Sequence, residues 1–188
     1  MRKVIYAIQV TLDGFFEGPN GELDWAIVDE ELHKHFNDQE SRYDFHLYGR
    51  RLYEIMSAFW PTADEDPTVP DYVIEYAHIW KEMPKIVFSK SLDKVEWNSR
   101  LVKGDAGEEI RKLKSQPGKD LSIGGAEFAS SMLKLGLIDE CEVYVNPIVL
   151  GSGKRIFTGF ENPVDLQLLE TYTFGSGVVR LRYRVETE

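Results

Sequence analysis

The sequence predicts an α/β fold, a mainly parallel sheet with helices on both faces and antiparallel strands at its C-terminal end. Three observations carry this. Strand-like and helix-like stretches alternate up to about residue 135, the last quarter changes to consecutive strands with no long helix between them, and no internal repeat or linker divides the chain.

Residues 2–12 are apolar and β-branched and read as the first strand, followed by a turn-rich stretch from Asp13-Gly14 to Gly21. Asp29 can start a helix running to about Tyr43, and residues 45–48 form a short strand ending at Gly49. A helix over 50–59 is closed by Trp60-Pro61, the acidic stretch 64–70 is a loop, and 71–82 is another helix. Residues 84–89 have the apolar run of a buried strand, and 95–97 and 101–102 are two short ones. A helix over 106–113, a strand at 121–123 and an apolar helix over 126–135 follow, the last ended by Gly136. Residues 142–150 alternate as a strand, and 166–174 with 178–185 make a hairpin around Gly175-Ser176-Gly177.

At 188 residues the chain fits one domain over 1–188. With 43% hydrophobic and 29% charged residues it is no disordered tail. Lys and Arg number 22 against 32 Asp and Glu, a net charge of −10 that repels a phosphate backbone and argues against nucleic-acid partners. The one cysteine, Cys141, cannot form an internal disulfide, which suits a cytoplasmic protein. The basic N-terminus leads into a short apolar run without a small-residue cleavage site, and no window approaches the ~20 apolar residues of a membrane span.

The most informative segment is Leu121-Ser122-Ile123-Gly124-Gly125-Ala126-Glu127-Phe128. A strand running into paired glycines and then a helix leaves free N–H groups at the helix start, where a phosphate or pyrophosphate fits; an ordinary tight turn is the alternative. Gly49-Arg50-Arg51-Leu52-Tyr53-Glu54 repeats the junction with two guanidinium groups, which oppose the helix dipole unless an anion is near. Ser89-Lys90 adds a hydroxyl and an ammonium at the same expected sheet edge. Other signatures fail. Gly151-Ser152-Gly153-Lys154 lacks the Ser or Thr of a P-loop, and His33 and His35, two apart on a helix, point to different faces and make no metal pair.

Taken in order, Thr11-Leu12-Asp13-Gly14-Phe15, Leu23-Asp24-Trp25, Gly49-Arg50-Arg51-Leu52-Tyr53-Glu54, Val87-Phe88-Ser89-Lys90, Ile123-Gly124-Gly125-Ala126, 136–140 and 147–154 resemble the dihydrofolate reductase-like superfamily. Within it, the chain is similar to the reductase domain of riboflavin-biosynthesis proteins and its stand-alone relatives. The resemblance implies an NADPH-dependent reductase, with Gly49, Arg50, Arg51, Leu52, Ser89 and Lys90 around the adenosine-side phosphates and Gly124, Gly125, Ala126 and Glu127 along the pyrophosphate and nicotinamide. Asp13, Asp24 and Trp25 then lie over the nicotinamide beside the substrate. Many relatives carry Thr where this chain has Leu52, and a basic residue where it has Phe15. No zinc-deaminase signature is present, and the last two facts argue against the riboflavin substrate.

The expected function is hydride transfer from NADPH to a small planar acceptor, pterin-like or another heterocyclic C=N or C=O, with Asp13 or Asp24 as the catalytic proton donor. The alternative is an NADP-binding module with little or no catalysis, serving as a sensor or partner protein. True dihydrofolate reductase needs an acid on the first helix facing the pterin, for which Glu30 and Glu31 are the options. A homodimer is expected, because Val143, Val145 and Pro147 share one face of their strand and Tyr144, Asn146 and Ile148 the other, so that both faces carry large side chains. A hairpin folding back over one face within the chain is the alternative.

Overall fold

The computed structural model describes residues 1–186. Its eight-stranded sheet is built from β1 (Val4–Thr11), β3 (Tyr43–Gly49), β4 (Lys85–Phe88), β5 (Ser99–Val102), β6 (Asp120–Gly124), β7 (Glu140–Asn146), β9 (Leu166–Thr173) and β10 (Val179–Val185). The order across the sheet is β5-β4-β3-β6-β1-β7-β10-β9; all pairs are parallel as far as β7, and β10 and β9 continue it antiparallel. A separate two-stranded ribbon pairs β2 (Phe15–Glu17) with β8 (Lys154–Arg155).

Helices cover both faces. On one, α4 (Ala106–Ser115) and α5 (Ala126–Lys134) bury Ile110, Leu113, Ala129 and Leu133 against Val4, Tyr6, Leu47 and Ile123. On the other lie α1 (Glu30–Glu40), α2 (Arg50–Phe59) and α3 (Asp71–Glu82), with Leu32 and Phe36 against Tyr144 and with Tyr53 and Met56 against Tyr48 and Val87. Asp29 caps α1 by accepting from the Leu32 N–H at 2.9 Å, and Asp105 caps α4 from the Glu108 N–H at 2.8 Å.

Local chemistry explains the differences from expectation. The first helix stops at Glu40 and not at Tyr43, because Tyr43 is the first residue of β3. No strand forms at 95–97; Trp97 and Asn98 take left-handed backbone angles (φ 61° and 52°) that turn the chain into β5. A 3-10 helix over Trp60–Glu65 replaces the expected end of helix at Trp60-Pro61. The hairpin turns at Gly177 (φ 87°), where the Phe174 N–H donates to the Val178 carbonyl.

The hairpin extends the sheet edge and does not fold back over it. Of the two faces of β7, Tyr144 and Asn146 are buried, while Val143 and Val145 stay half-exposed beside Val179, Leu181 and Tyr183. No helix long and apolar enough to cross a membrane occurs among the described residues.

Candidate functional site

β3 and β6 are neighbours in the sheet, and the helices that follow them leave on opposite faces. Their C-terminal ends therefore border the crevice where open α/β sheets take ligands. The two helices that start there, α2 at Gly49 and α5 at Gly125, have no side-chain cap, in contrast to α1 and α4. α2 also has no acidic residue in its first turn. Uncapped N–H groups of two helices thus face one crevice, and an anion there would satisfy them.

The glycines are required by geometry. Gly125 has φ +91°, which L side chains rarely adopt, and a Cβ on it would find only Leu52 at 3.5 Å and Phe128 at 4.0 Å. At Gly124 a Cβ would run into Leu52 Cδ2, and at Gly49 one would meet Phe128 Cβ at 3.1 Å. Leu52 packs on the side of the paired glycines toward which a Cβ would project. Ala126 is buried in the first turn of α5 and Glu127 is exposed.

Because β3 and β4 are adjacent, the turn after β4 comes to the start of α2. Arg50 Nη1 donates to Ser91 Oγ at 3.2 Å, and Ser89 Oγ accepts from the Ser91 and Leu92 N–H groups, so Arg50, Ser89 and Lys90 are gathered at one rim. Lys90 is exposed and makes no ion pair with any described residue. Arg51 is differently placed. It pairs at 2.6 Å with Glu17, whose other oxygen lies 2.8 Å from Lys154 Nζ, so it ties α2 to the small ribbon. Partial burial pushes the Glu17 carboxyl up, but its bonds to Arg51 and Lys154 outweigh this and hold it below its ordinary value.

Asp13 anchors a loop. Its carboxylate accepts from Thr11 Oγ1 (2.6 Å), Gly151 N–H (2.8 Å) and Leu150 N–H (3.1 Å). The Thr11 hydroxyl and the two N–H groups bring its pKa down to about 2 against partial desolvation, so this carboxyl holds no proton at neutral pH. Asp24 lies exposed in a turn, and Trp25 Nε1 donates to the Glu22 carbonyl at 3.1 Å. Further along the same loop, the Ile27 N–H donates to Asn146 Oδ1 at 2.8 Å.

A cavity of about 320 Å³ opens between the sheet and α1, with Gln9 of β1, Ser122 of β6 and Tyr144 of β7 on the sheet side and Trp60 and Tyr76 opposite. Ser122, two residues before Gly124, is the lining residue nearest in sequence to the glycine turn. Val28 is the loop's contribution to the lining; Asp13, Asp24 and Trp25 take no part in it. The acids named on the first helix also lie elsewhere, with Glu30 pairing with Lys34 and Glu31 accepting from the Gly175 N–H. Glu40, at the opposite end of α1, lines the cavity. Its Oε2 is 2.5 Å from His46 Nε2, and His46 Nδ1 is 2.7 Å from the Tyr48 hydroxyl. Neither Glu40 nor His33, which lines the same wall, had been singled out as a site residue. Both lie on α1, seven residues apart and hence on one helix face, a spacing the sequence does carry, while His46 and Tyr76 reach Glu40 from β3 and α3.

Residues 2–180 match the family described as the RibD C-terminal domain. The chain belongs to that family. Over 183 residues it is 37% identical to the uncharacterized protein YyaP of Bacillus subtilis (strain 168), covering 97% of this chain and 94% of that one. Among solved structures, a candidate riboflavin biosynthesis protein of Shewanella sp. PV-4 superposes with a TM-score of 0.78 at 23% identity, covering 98% and 99% of the two chains. The diaminohydroxyphosphoribosylaminopyrimidine deaminase/5-amino-6-(5-phosphoribosylamino)uracil reductase of Thermotoga maritima gives 0.67 at 16% identity, over 98% of this chain and 56% of that one. Dihydrofolate reductase from Enterococcus faecalis, complexed with NADP(H), gives 0.63 at 15% identity over 98% and 97%. The structural likenesses establish the dihydrofolate reductase-like fold.

Proposed function

We propose that this RibD-family chain is an NADPH-dependent reductase of a small planar acceptor. The observation that carries the reading is the pair of uncapped helix starts at Gly49 and Gly125 facing one crevice at the junction of β3 and β6, next to a cavity lined with aromatic side chains. The residues fit the cofactor, because the glycine turn lets a pyrophosphate approach the backbone and the rim of Arg50, Ser89 and Lys90 offers a hydroxyl and two cations for a 2′-phosphate. Gly124, Gly125, Ala126 and Glu127 would lie along the pyrophosphate and nicotinamide. When bound, NADPH supplies the hydride. The chain's own part is to align the acceptor in the cavity and to exclude water, with Tyr76, Trp60 and Tyr144 as its walls. In this arrangement Asp13 positions the loop beside the cleft, and Asp24 and Trp25 belong to the mouth.

NADPH is expected to bind more tightly than NADH, each lost charge-assisted hydrogen bond costing ~1.5–3 kcal/mol in a partly dry cleft. Arg50→Ala and Lys90→Ala should narrow the difference more than Arg51→Ala, since Arg51 is already paired with Glu17. Calorimetry giving equal dissociation constants for the two cofactors would remove the assignment. NADPH binding without NADPH consumption over a panel of pterins, quinones and carbonyls would favour the non-catalytic module.

The same reading includes a homodimer in the cytoplasm. Its support is the half-exposed apolar face of Val143, Val145, Val179, Leu181 and Tyr183, next to the fully exposed edge strand β9 with Leu166, Leu168 and Tyr172. Light scattering at micromolar concentration should give twice 21.6 kDa, and a dilution-independent mass of 21.6 kDa would exclude the dimer.

A further inference from the structure

The hydrogen bonds of Asn37 fix the tautomer of one residue of the cavity wall, His33. Asn37 Nδ2 donates both its hydrogens, to the Tyr72 carbonyl at 2.9 Å and to Glu75 Oε2 at 2.7 Å. Both partners only accept, so the amide orientation is set and Asn37 Oδ1 is left as an acceptor. His33 Nδ1, 3.1 Å from that oxygen, must therefore carry the imidazole hydrogen. His33 Nε2 is then a bare lone pair, and no described residue hydrogen-bonds to it. The ring is buried and held among Trp60, Tyr72 and Tyr76, with centroids at 6.1, 5.0 and 5.9 Å. Burial lowers its pKa, more than the Asn37 bond and the Glu75 charge raise it, which keeps it neutral.

The second polar group of the wall, Glu40, faces His46, the Tyr76 hydroxyl and, further off, Tyr43 and Lys85; Lys85 Nζ is spent on the Trp80 and Met83 carbonyls. No Lys or Arg lines the cavity. The cations nearest Glu142, on the opposite wall, are Arg42, Arg180 and Arg182. Each of them is turned to Glu142, with Arg180 and Arg182 also reaching Glu170 and Arg182 also reaching Glu140. The cavity thus has no cation to receive a phosphate; Gln9, whose Oε1 accepts from Asn146 Nδ2, and Ser122 keep donors, while His33 Nε2 is a fixed acceptor.

We infer that this cavity selects a planar ring that donates hydrogen bonds from its edge and carries no phosphate, with His33 Nε2, held in one tautomer by Asn37, as the specificity-determining acceptor. This rests on the cavity being the acceptor site of the proposed reductase, and it differs from the phosphoribosyl compound named for the Thermotoga maritima relative.

The test is calorimetric titration, without cofactor, of three probes: 2,4-diaminopteridine, 2,4-dimethoxypteridine, whose edge has acceptors only, and 5-amino-6-(5-phosphoribosylamino)uracil. The diamino compound should bind at least tenfold more tightly than the other two. Asn37→Leu, which frees the tautomer so that Nε2 can carry the hydrogen, should reduce that preference at least fivefold or invert it. His33→Phe, which keeps the ring stack, should abolish the part due to Nε2, and NADPH affinity, measured in parallel, should be unchanged in both. An unchanged preference in Asn37→Leu, preferred binding of the dimethoxy or phosphorylated compound, or no binding of the diamino compound would overturn the inference. Loss of NADPH binding by the wild type, with the probe order intact, would instead remove the reductase reading and leave the cavity's selectivity standing.

Discussion

Glu142→Gln is expected to lower the stability of the fold by about 3–5 kcal/mol, the usual cost of removing one charge from a buried ionic cluster. Glu142 is buried, and its Oε1 lies 2.9 Å from Arg42 Nη1 and 3.6 Å from Arg182 Nε. Its Oε2 accepts from the Tyr144 hydroxyl at 3.2 Å and sits 4.0 Å from Arg180 Nη1. The amide keeps the shape and one acceptor but leaves three guanidinium groups short of a counter-charge. For a chain of this length the midpoint of thermal unfolding should fall by about 6–20 °C. A fall of under 2 °C in scanning calorimetry at pH 7 would mean that Glu140 and Glu170 suffice for those arginines.

The second large effect is expected at the glycine turn. Gly125→Ala should lose NADPH binding and also stability, because φ +91° costs an L residue about 1–3 kcal/mol and the new Cβ stands in the cradle. Gly125→Val adds a branched side chain and should cost more on both counts. Gly136 provides the control. It follows α5 at the other end, has φ +66° and no atom within 4 Å of a Cβ, so Gly136→Ala carries the backbone strain without touching the crevice. Thermal unfolding should show a loss in both alanine variants, larger at Gly125, whose φ 91° and ψ 111° lie outside the left-handed region while the φ of Gly136 falls within its range, and NADPH titration should separate them. Equal NADPH affinity in both would make the Gly124-Gly125 turn a structural feature only.

The parts of this molecule that could be read from sequence are those whose cause is local. The strand-glycine-glycine-helix segment at 121–128 encodes its own geometry, because a helix start needs no distant partner to leave its N–H groups free. The alternation of apolar runs gave the parallel sheet for the same reason. The cavity wall is different in kind. Glu40 ends a helix whose sequence marks no boundary there, and its neighbours His46, Tyr48 and Tyr76 arrive from β3 and α3. His46 and Tyr48, two apart on β3, share a face, but nothing in the sequence connects that pair with Glu40 or Tyr76. The ribbon of β2 and β8 was invisible because each strand has three residues or fewer. Which way the acids of the first helix point is not legible in sequence; the structure turns Glu30 to Lys34 and Glu31 to the hairpin.

The position of β6 in the sheet has a consequence for how the chain comes off the ribosome. β6 lies between β3 and β1, so these two strands, formed from the first 49 residues, share no hydrogen bonds and stay separated until residues 120–124 have been made. Until then each shows an unpaired edge, and the cleft at the β3–β6 border does not exist in any part. Synthesis at ~5–20 residues per second puts several seconds between the first strand and the one that joins the two halves. The nascent chain therefore carries two open, apolar strand edges through that interval, the kind of surface that holdase chaperones bind.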